Sequence, residues 1–245
     1  MRHTPHFLMT DVAEVKRLVD DNPWATIVSH TDAGLVASHY PVVLETPGPD
    51  EDPDQLVLVS HVGRPDEQAH ELGQHEVLVI VQGPHGYVSP AWYPAAQFVP
   101  TWNHVTAHLW GTPETLSDEE NFRVLGELVD HFERVMPDPV SLQVDEDTAR
   151  RMAKGTVGIR IRVTRFDARA KLSQNKAPAV VDDVIAGLRG DGPYASPALA
   201  AEMERVRPAA PAESVPAESV PAEEGREALG PRRRSRADAP AADRP

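Results

Sequence analysis

The chain has 245 residues, no cysteine and a formal net charge of −14, which excludes disulfides and thiolate metal sites. Residues 1–190 carry 16 Lys and Arg against 28 Asp and Glu, and this acidic excess argues against direct DNA binding. No apolar run is long enough for a transmembrane helix and no signal-peptide core is present, so we expect a cytoplasmic protein with no membrane partner.

The first half of the chain predicts two helices and four strands. An amphipathic helix follows Asp11, which can cap it, and ends before Pro23. Residues 65–74 predict a second, short helix, and residues 84–94 predict a turn-rich excursion. The strand at 76–83 is apolar enough to be buried on both faces. The other three strands are predicted at 24–30, 35–44 and 55–62, and the first two form a hairpin.

The second half predicts two further strands and a strong amphipathic helix. The strands span 99–111 and 156–167, and the helix spans 117–136 with Ser117 as its cap. Shorter helical segments are predicted at 145–153 and 181–189. Strands at hairpin spacing with few helices indicate a mainly β fold with peripheral helices (α+β), built around a β-barrel.

The composition changes after Gly190. Residues 211–224 repeat the unit "PAESV", and Pro, Ala and charged residues dominate to the end. Such a segment buries too little apolar surface to offset its ordering entropy. We therefore expect a folded domain at 1–190 and a disordered low-complexity tail at 191–245, in which a solvent-exposed helix around 196–206 is compatible with the sequence.

The fifth predicted strand has an unusual face. If "VPTWNHVTAHLWG" (99–111) is extended, its side chains alternate between two sides. One side is mostly apolar, with Asn103 as its polar exception, and the other carries Trp102, His104, Thr106, His108 and Trp110. His104 and His108 would then lie about 13 Å apart, so one metal ion could not bridge them and no metal site is predicted.

Two other segments carry candidate binding residues. His61 and Arg64 precede a predicted helix start, an arrangement that suits an anion but also fits an exposed loop. Lys171, Ser173 and Gln174 lie in "KLSQN" after the last strand, and each side chain can donate a hydrogen bond. The sequence shows no dinucleotide fingerprint, phosphate-binding P-loop or GxSxG motif, and we assign no catalytic residue.

Together these segments resemble the PaiB family of FMN-binding negative transcriptional regulators over residues 3–188. The resemblance rests on "TPHF", "NPWATIVS", "LVASHYPVVL", "LVSHVGR", "VLVIVQGPHGYVSPAWYP", "VPTWNHVTAHLWG", "TVGIRIRV" and "KLSQNK", in that order. It implies an FMN-binding split β-barrel, with FMN as cofactor, and a homodimer that holds the flavin near the subunit interface. It also implies a regulatory role in transcription repression.

The resemblance, combined with residue chemistry, gives a set of expected flavin contacts. His61 and Arg64 would bind the phosphate, Gln82 would meet the ring edge, and Trp102 and Asn103 would line the ring pocket. His104 and His108, with Trp102, would line the flat cofactor or a subunit seam. Lys171, Ser173 and Gln174 would close the site.

Four functions remain open at this point. The first is a flavin-binding regulatory or redox-sensing protein, and the second is a flavin-dependent oxidoreductase in which His104 or His108 serves as acid or base. The third is a haem-binding split barrel. The fourth is a cofactor-free interaction protein whose basic run "PRRRSR" (231–236) recruits an acidic partner.

Overall fold

The computed structural model describes residues 4–94 and 99–207, and the predicted disorder beyond Arg207 lies outside the described residues. The strands are β1 (Leu8–Met9), β2 (Trp24–Thr31), β3 (Gly34–Pro41), β4 (Val43–Leu44), β5 (Val57–Gly63), β6 (Val77–Val88), β7 (Thr101–Gly111), β8 (Pro113–Thr115), β9 (Thr156–Arg162) and β10 (Arg165–Lys171). The helices are α1 (Val12–Asp21), α2 (Asp66–Ala69), α3 (Asp118–Glu133), α4 (Glu146–Ala153), α5 (Pro178–Arg189) and α6 (Pro197–Arg205).

The strands form two antiparallel sheets around one core. The larger sheet has the order β1-β10-β7-β6-β2-β3 and the smaller has the order β4-β5-β9-β8. The chain passes from one sheet to the other after β3, after β5, after β7 and after β9. The predicted class, mainly β with peripheral helices, is confirmed.

Local signals in the sequence explain several element boundaries. The β2–β3 hairpin turns at Gly34, whose φ of 116° favours glycine. The carboxylate of Asp11 accepts a hydrogen bond from the Ala13 N–H and so caps α1. Ser117 and Glu120 form a reciprocal capping box at the start of α3.

The core lies between the two sheets and follows the period-two pattern of the strands. On β7, the side chains of Val105, Ala107 and Leu109 are fully buried, which confirms the predicted division of this strand into two faces. The prediction that 76–83 is buried on both faces is wrong. Only one side of β6 packs on the core, and Leu78 and Ile80 on the other side are half-buried.

Three strand predictions need correction. The strand predicted at 35–44 is two strands, because the chain leaves the larger sheet at the end of β3 and enters the smaller sheet at β4. The excursion predicted at 84–94 begins later, because β6 continues to Val88 and still pairs with β7 beyond an irregularity between Gln82 and His85. The strand predicted at 156–167 is two strands. β9 pairs with β5 in the smaller sheet and β10 pairs with β7 in the larger one, so the chain changes sheets at 163–164.

The helices also differ from prediction in extent and packing. The helix predicted at 65–74 is the single turn α2, and α5 begins at Pro178 instead of residue 181. The helix expected to be solvent-exposed near 196–206 is α6, which buries Leu199 and Met203 in the core. The compact unit therefore reaches Arg207 instead of ending at residue 190. No helix among the described residues has both the length and the apolar character needed to span a bilayer.

Gly111 is expected to be essential for stability because two sheet-to-sheet crossings meet there. A Cβ atom at Gly111 would lie 2.4 Å from the carbonyl oxygen of Arg162. We expect Gly111→Ala to lower the free energy of unfolding by about 3 kcal/mol in urea titrations, because backbone must move to relieve the overlap. The control is Gly126→Ala on α3, where a Cβ meets no atom within 4 Å. That change should raise stability by about 0.5–1 kcal/mol, and equal effects of the two substitutions would contradict this account of the crossing.

Candidate functional site

Four separate sequence motifs meet at one cleft. The cleft, as we call it, has a volume of about 200 Å³ and lies between the start of β7, the loop after β10 and α5. Its residues come from "TPHF", "SPAWYP", "VPTWN" and "KLSQNK", and from α5. They are Phe7, Tyr93, Val99, Thr101, Asn103, Lys171, Ser173, Asn175, Lys176, Val180 and Val184.

A buried amide–hydroxyl contact joins the two sides of the cleft. Asn103 has no exposed surface, and its Nδ2 donates to Ser173 Oγ at 2.9 Å, while that hydroxyl lies 3.2 Å from Asn103 Oδ1. Ser173 has a φ of 62°, a conformation that non-glycine residues seldom adopt. The contact therefore fixes a strained turn against the first residues of β7.

Lys171 and Gln174 also tie the loop to its surroundings. Lys171 Nζ donates to the Trp102 carbonyl oxygen at 2.7 Å and contacts Thr101 Oγ1. Burial, and then the charge of Lys176, lower the pKa of Lys171. The side-chain amide of Gln174 donates to the carbonyl of Ala170 at 2.6 Å and accepts from the Leu172 N–H at 2.7 Å. The Gln174 side chain thus holds the loop after β10 in shape by bonding to backbone groups of neighbouring residues.

Apart from Asn103, which lines the cleft, the predicted ring-contact residues lie beside the cleft on the outer sheet face. We define this face as the side of the six-stranded sheet that points away from the core. It includes Trp24, Val28, Leu35, Leu78, Ile80, Gln82, Trp102, His104, His108 and Trp110. Trp102 is 57% exposed, Gln82 is exposed and contacts His85, and the two histidines are half-buried.

His104 connects the outer sheet face to the cleft. It lies directly opposite Lys171 on β10 and His85 on β6, and its Nδ1 is 3.2 Å from Thr106 Oγ1. Burial, and then the charges of Lys171 and His85, lower the pKa of His104. A neutral imidazole at this position can accept or donate a hydrogen bond toward a bound ring. Burial likewise lowers the pKa of His108.

His61 and Arg64 lie in the other sheet, at the end of β5. Burial lowers the pKa of His61, whose Nδ1 is enclosed and has no hydrogen-bond partner among the described residues. Arg64 donates to Glu67 at 3.1 Å and to the carbonyl of Lys154 at 3.2 Å. A phosphate at this corner would compete with the Glu67 carboxylate for Arg64. Within one chain, His61 and Arg64 are therefore separate from the residues that line the cleft.

A buried polar network holds this corner in place. His70 is 1% exposed, and its two ring nitrogens lie 2.8 Å from Ser29 Oγ and 2.9 Å from Ser38 Oγ. Asp66 accepts hydrogen bonds from Ser38 at 3.1 Å and from Tyr40 at 2.6 Å. These contacts fasten α2 to β2 and β3, which fixes the chain just after Arg64.

Sequence reasoning omitted part of the cleft. Phe7, Tyr93, Asn175 and Lys176 line it, although none was singled out. The signal was available, because all four lie within the motifs that carry the family resemblance. The sequence alone did not show that "TPHF" and "KLSQNK" fold onto the same side of β7.

The chemistry of the cleft fits one end of a flavin mononucleotide. Lys176, Asn175 and Ser173 offer a charge and hydrogen-bond donors suited to a phosphate, and Phe7 and Tyr93 offer flat apolar surface. Its volume of about 200 Å³ is below the roughly 300–1,000 Å³ of usual ligand pockets. The rest of such a ligand would extend beyond the cleft.

Comparison with known proteins identifies the family. A family profile described as "Putative FMN-binding domain" matches residues 1–165. The chain is 29% identical over 189 residues to "Protease synthase and sporulation protein PAI 2" of Bacillus subtilis, covering 76% of this chain and 88% of that protein. It is also 26% identical over 227 residues to an uncharacterized protein of Emericella nidulans, covering 77% and 90% of the two chains.

Solved structures agree on the fold. The FAD and heme binding protein from Mycobacterium smegmatis aligns with a TM-score of 0.51 at 18% identity, covering 74% of this chain and 80% of that one. The flavocytochrome Anf3 from Azotobacter vinelandii aligns with a TM-score of 0.51 at 13% identity, covering 91% and 92%. With this fold and the matched profile, the chain belongs to the PaiB-type family of FMN-binding split-barrel proteins, whose cofactor is a flavin.

Proposed function

We propose that this protein is a regulatory or redox-sensing flavoprotein that acts as a homodimer and holds FMN between the cleft and the outer sheet face. The observation that carries the proposal is the meeting of four distant motifs at one cleft containing Lys171 and Lys176. Lys171 is held by the Trp102 carbonyl and Thr101, and Lys176 adds a second positive charge at the same cleft, which is unfavourable without an anion because like charges repel. An anionic ligand explains their proximity.

The two ends of the proposed ligand lie in two different environments. Lys176, Asn175 and Ser173 would bind the phosphate inside the cleft, while Trp102 and His104 would meet the ring at its edge and Asn103 would hold Ser173 in place. Gln82 and His108 lie farther along the outer sheet face. In this proposal, His61 and Arg64 come from the second subunit.

The outer sheet face supports homodimerisation. Leu35 is 77% exposed and Trp24 is 65% exposed, and they lie on the same face as Trp102. Exposed large apolar side chains that share one sheet face suit an interaction site. A second copy packed on this face would bury it and would place two clefts along the seam.

The regulatory role would operate without direct contact to DNA. The acidic excess before residue 190 opposes binding to a phosphate backbone. Repression of transcription in this proposal therefore proceeds through another protein, whose recruitment responds to the state of the bound flavin.

Lys176→Met tests the phosphate end of the proposed site. Removing one charge-assisted contact should weaken FMN binding by about tenfold or more in fluorescence titrations of the flavin-free protein. The matched control is Arg151→Met on α4, which removes a cation that contacts Thr148 away from the cleft. Equal affinities for wild type and Lys176→Met would place the phosphate elsewhere.

A flavin-dependent oxidoreductase is the second candidate function, and His104 is the observation that favours it. Its lowered pKa keeps the ring neutral near pH 7, as a proton acceptor beside the proposed ring position requires. Steady oxidation of a reduced nicotinamide by the FMN-loaded protein, with dioxygen as the final electron acceptor, would support catalysis if His104→Gln loses it while FMN is still bound at saturation. Absence of turnover in wild type would exclude this reaction.

A further inference from the structure

Helix α6 packs directly behind the proposed flavin site. Met203 Sδ lies 3.5 Å from Asn103 Nδ2, the same amide that donates to Ser173. Leu199 packs against β6, where a Cβ atom on Gly86 would lie 3.1 Å from Leu199 Cδ2. This helix lies beyond residues 1–165, which the family profile matches. The back wall of the site thus comes from a part of the chain outside the matched domain.

A nearly buried carboxylate fastens the other side of α6 to α1. Glu202 is 7% exposed and accepts hydrogen bonds from Arg17 at 2.6 Å and from Arg205 at 3.0 and 3.1 Å. Arg205 also pairs with Glu14, and Arg17 pairs with Glu14 and Asp21. We call these five residues the Glu202 network. Burial alone would raise the pKa of Glu202, but Arg205 and Arg17 lower it, so the carboxylate stays ionised and paired.

We propose that α6 is a positioning helix for the flavin site, and that the Glu202 network sets flavin affinity through the contact of Met203 with Asn103. The inference rests on the proposed function. In this arrangement, the affinity for flavin depends on residues that touch no ligand. A ligand or partner that displaces α6 would then release the flavin.

Two consecutive side-chain contacts connect α6 to the loop that lines the cleft. The Asn103 amide lies between Ser173 on one side and Met203 on the other, so its rotamer is held only while both neighbours stay in place. Ser173 in turn holds the strained turn that presents Asn175 and Lys176 to the cleft. Loosening α6 gives the amide room to rotate, and the phosphate-binding donors lose their fixed geometry. Binding then costs additional ordering entropy.

Full-length variants on the two faces of α6 test the inference. Glu202→Gln weakens the network and Met203→Ala opens space beside Asn103. We expect each to raise the Kd for FMN about fivefold to tenfold, through loss of preorganisation, at a temperature where every variant is folded. Met203→Leu, which keeps the volume, should restore the wild-type Kd. Glu204→Gln is the matched control, since Glu204 lies on α6 but pairs with the exposed Arg189 at the end of α5.

A second readout separates positioning from general stability. The NMR signals of the Asn103 side-chain amide should shift in Glu202→Gln and Met203→Ala, and remain in place in Glu204→Gln. Unchanged Kd values and unmoved amide signals, with FMN bound normally by wild type, would overturn this inference alone. Failure of wild type to bind FMN would overturn the inference and the proposed function together.

Discussion

Replacing Asn103 by leucine is expected to abolish measurable FMN binding and to lower the free energy of unfolding by about 3 kcal/mol. Leucine matches the volume of asparagine only approximately and cannot bond to the Ser173 hydroxyl, which is itself buried. The unpaired hydroxyl then carries its full desolvation cost. Urea unfolding gives the stability, and flavin titration gives the affinity.

Ser173→Ala completes a double-mutant cycle with Asn103→Leu. Each single change leaves one buried polar group without its partner, whereas the double variant removes both. The double variant should therefore be more stable than the sum of the single effects predicts, by about 1–2 kcal/mol. Strict additivity would show that the amide–hydroxyl contact does not hold the turn at the cleft.

Placing a charge at the centre of the outer sheet face is expected to convert a dimer into a monomer. Ile80 lies midway across this face, opposite Thr26 on β2 and His108 on β7. Asp at this position would have to be desolvated without a partner in any face-to-face dimer, at a cost of several kcal/mol, enough to shift the dissociation constant by about two to three orders of magnitude. Light scattering coupled to size-exclusion chromatography measures the mass.

Val144→Asp provides the control for the dimer experiment. Val144 is 82% exposed, in the 3₁₀ turn before α4, and so is an apolar residue on the surface of another part of the fold. This variant should keep the mass of wild type. A monomeric wild type at micromolar concentration, or a dimeric Ile80→Asp, would contradict the proposed interface.

The two faces of β7 could be read from the sequence because their pattern is local. Alternation of Val105, Ala107 and Leu109 with polar and aromatic neighbours has one structural solution when one side is buried. The caps of α1 and α3 could also be predicted from the sequence, since each depends on residues within one helical turn.

The errors in the strands came from contacts distant in sequence. Nothing in "TVGIRIRVTRFD" marks 163–164 as a passage between sheets, because the switch depends on β5 and β7 as pairing partners. The two-sided burial predicted for β6 failed for a related reason. Its outer residues are apolar, and hydrophobicity alone does not distinguish a core face from a face exposed in the single chain.

The cleft was partly predictable. Asn103, Lys171 and Ser173 were identified from motifs and the structure brings them together, whereas His61 and Arg64 remain in the other sheet. The contribution of α6 could not be foreseen, because a helix around 196–206 was expected to be solvent-exposed, whereas its apolar residues face the core. Helix packing of this kind depends on the shape of the surface that receives it.

The central claim is that FMN binds at the cleft, and the visible absorption spectrum of the purified full-length protein tests it most directly. FMN binding at the cleft predicts a flavin spectrum, either as purified or after FMN addition. The signal should saturate at one FMN per subunit in wild type and should be absent in Asn103→Leu. A spectrum with no bound flavin at micromolar FMN would contradict the account. So would a haem spectrum that FMN does not change.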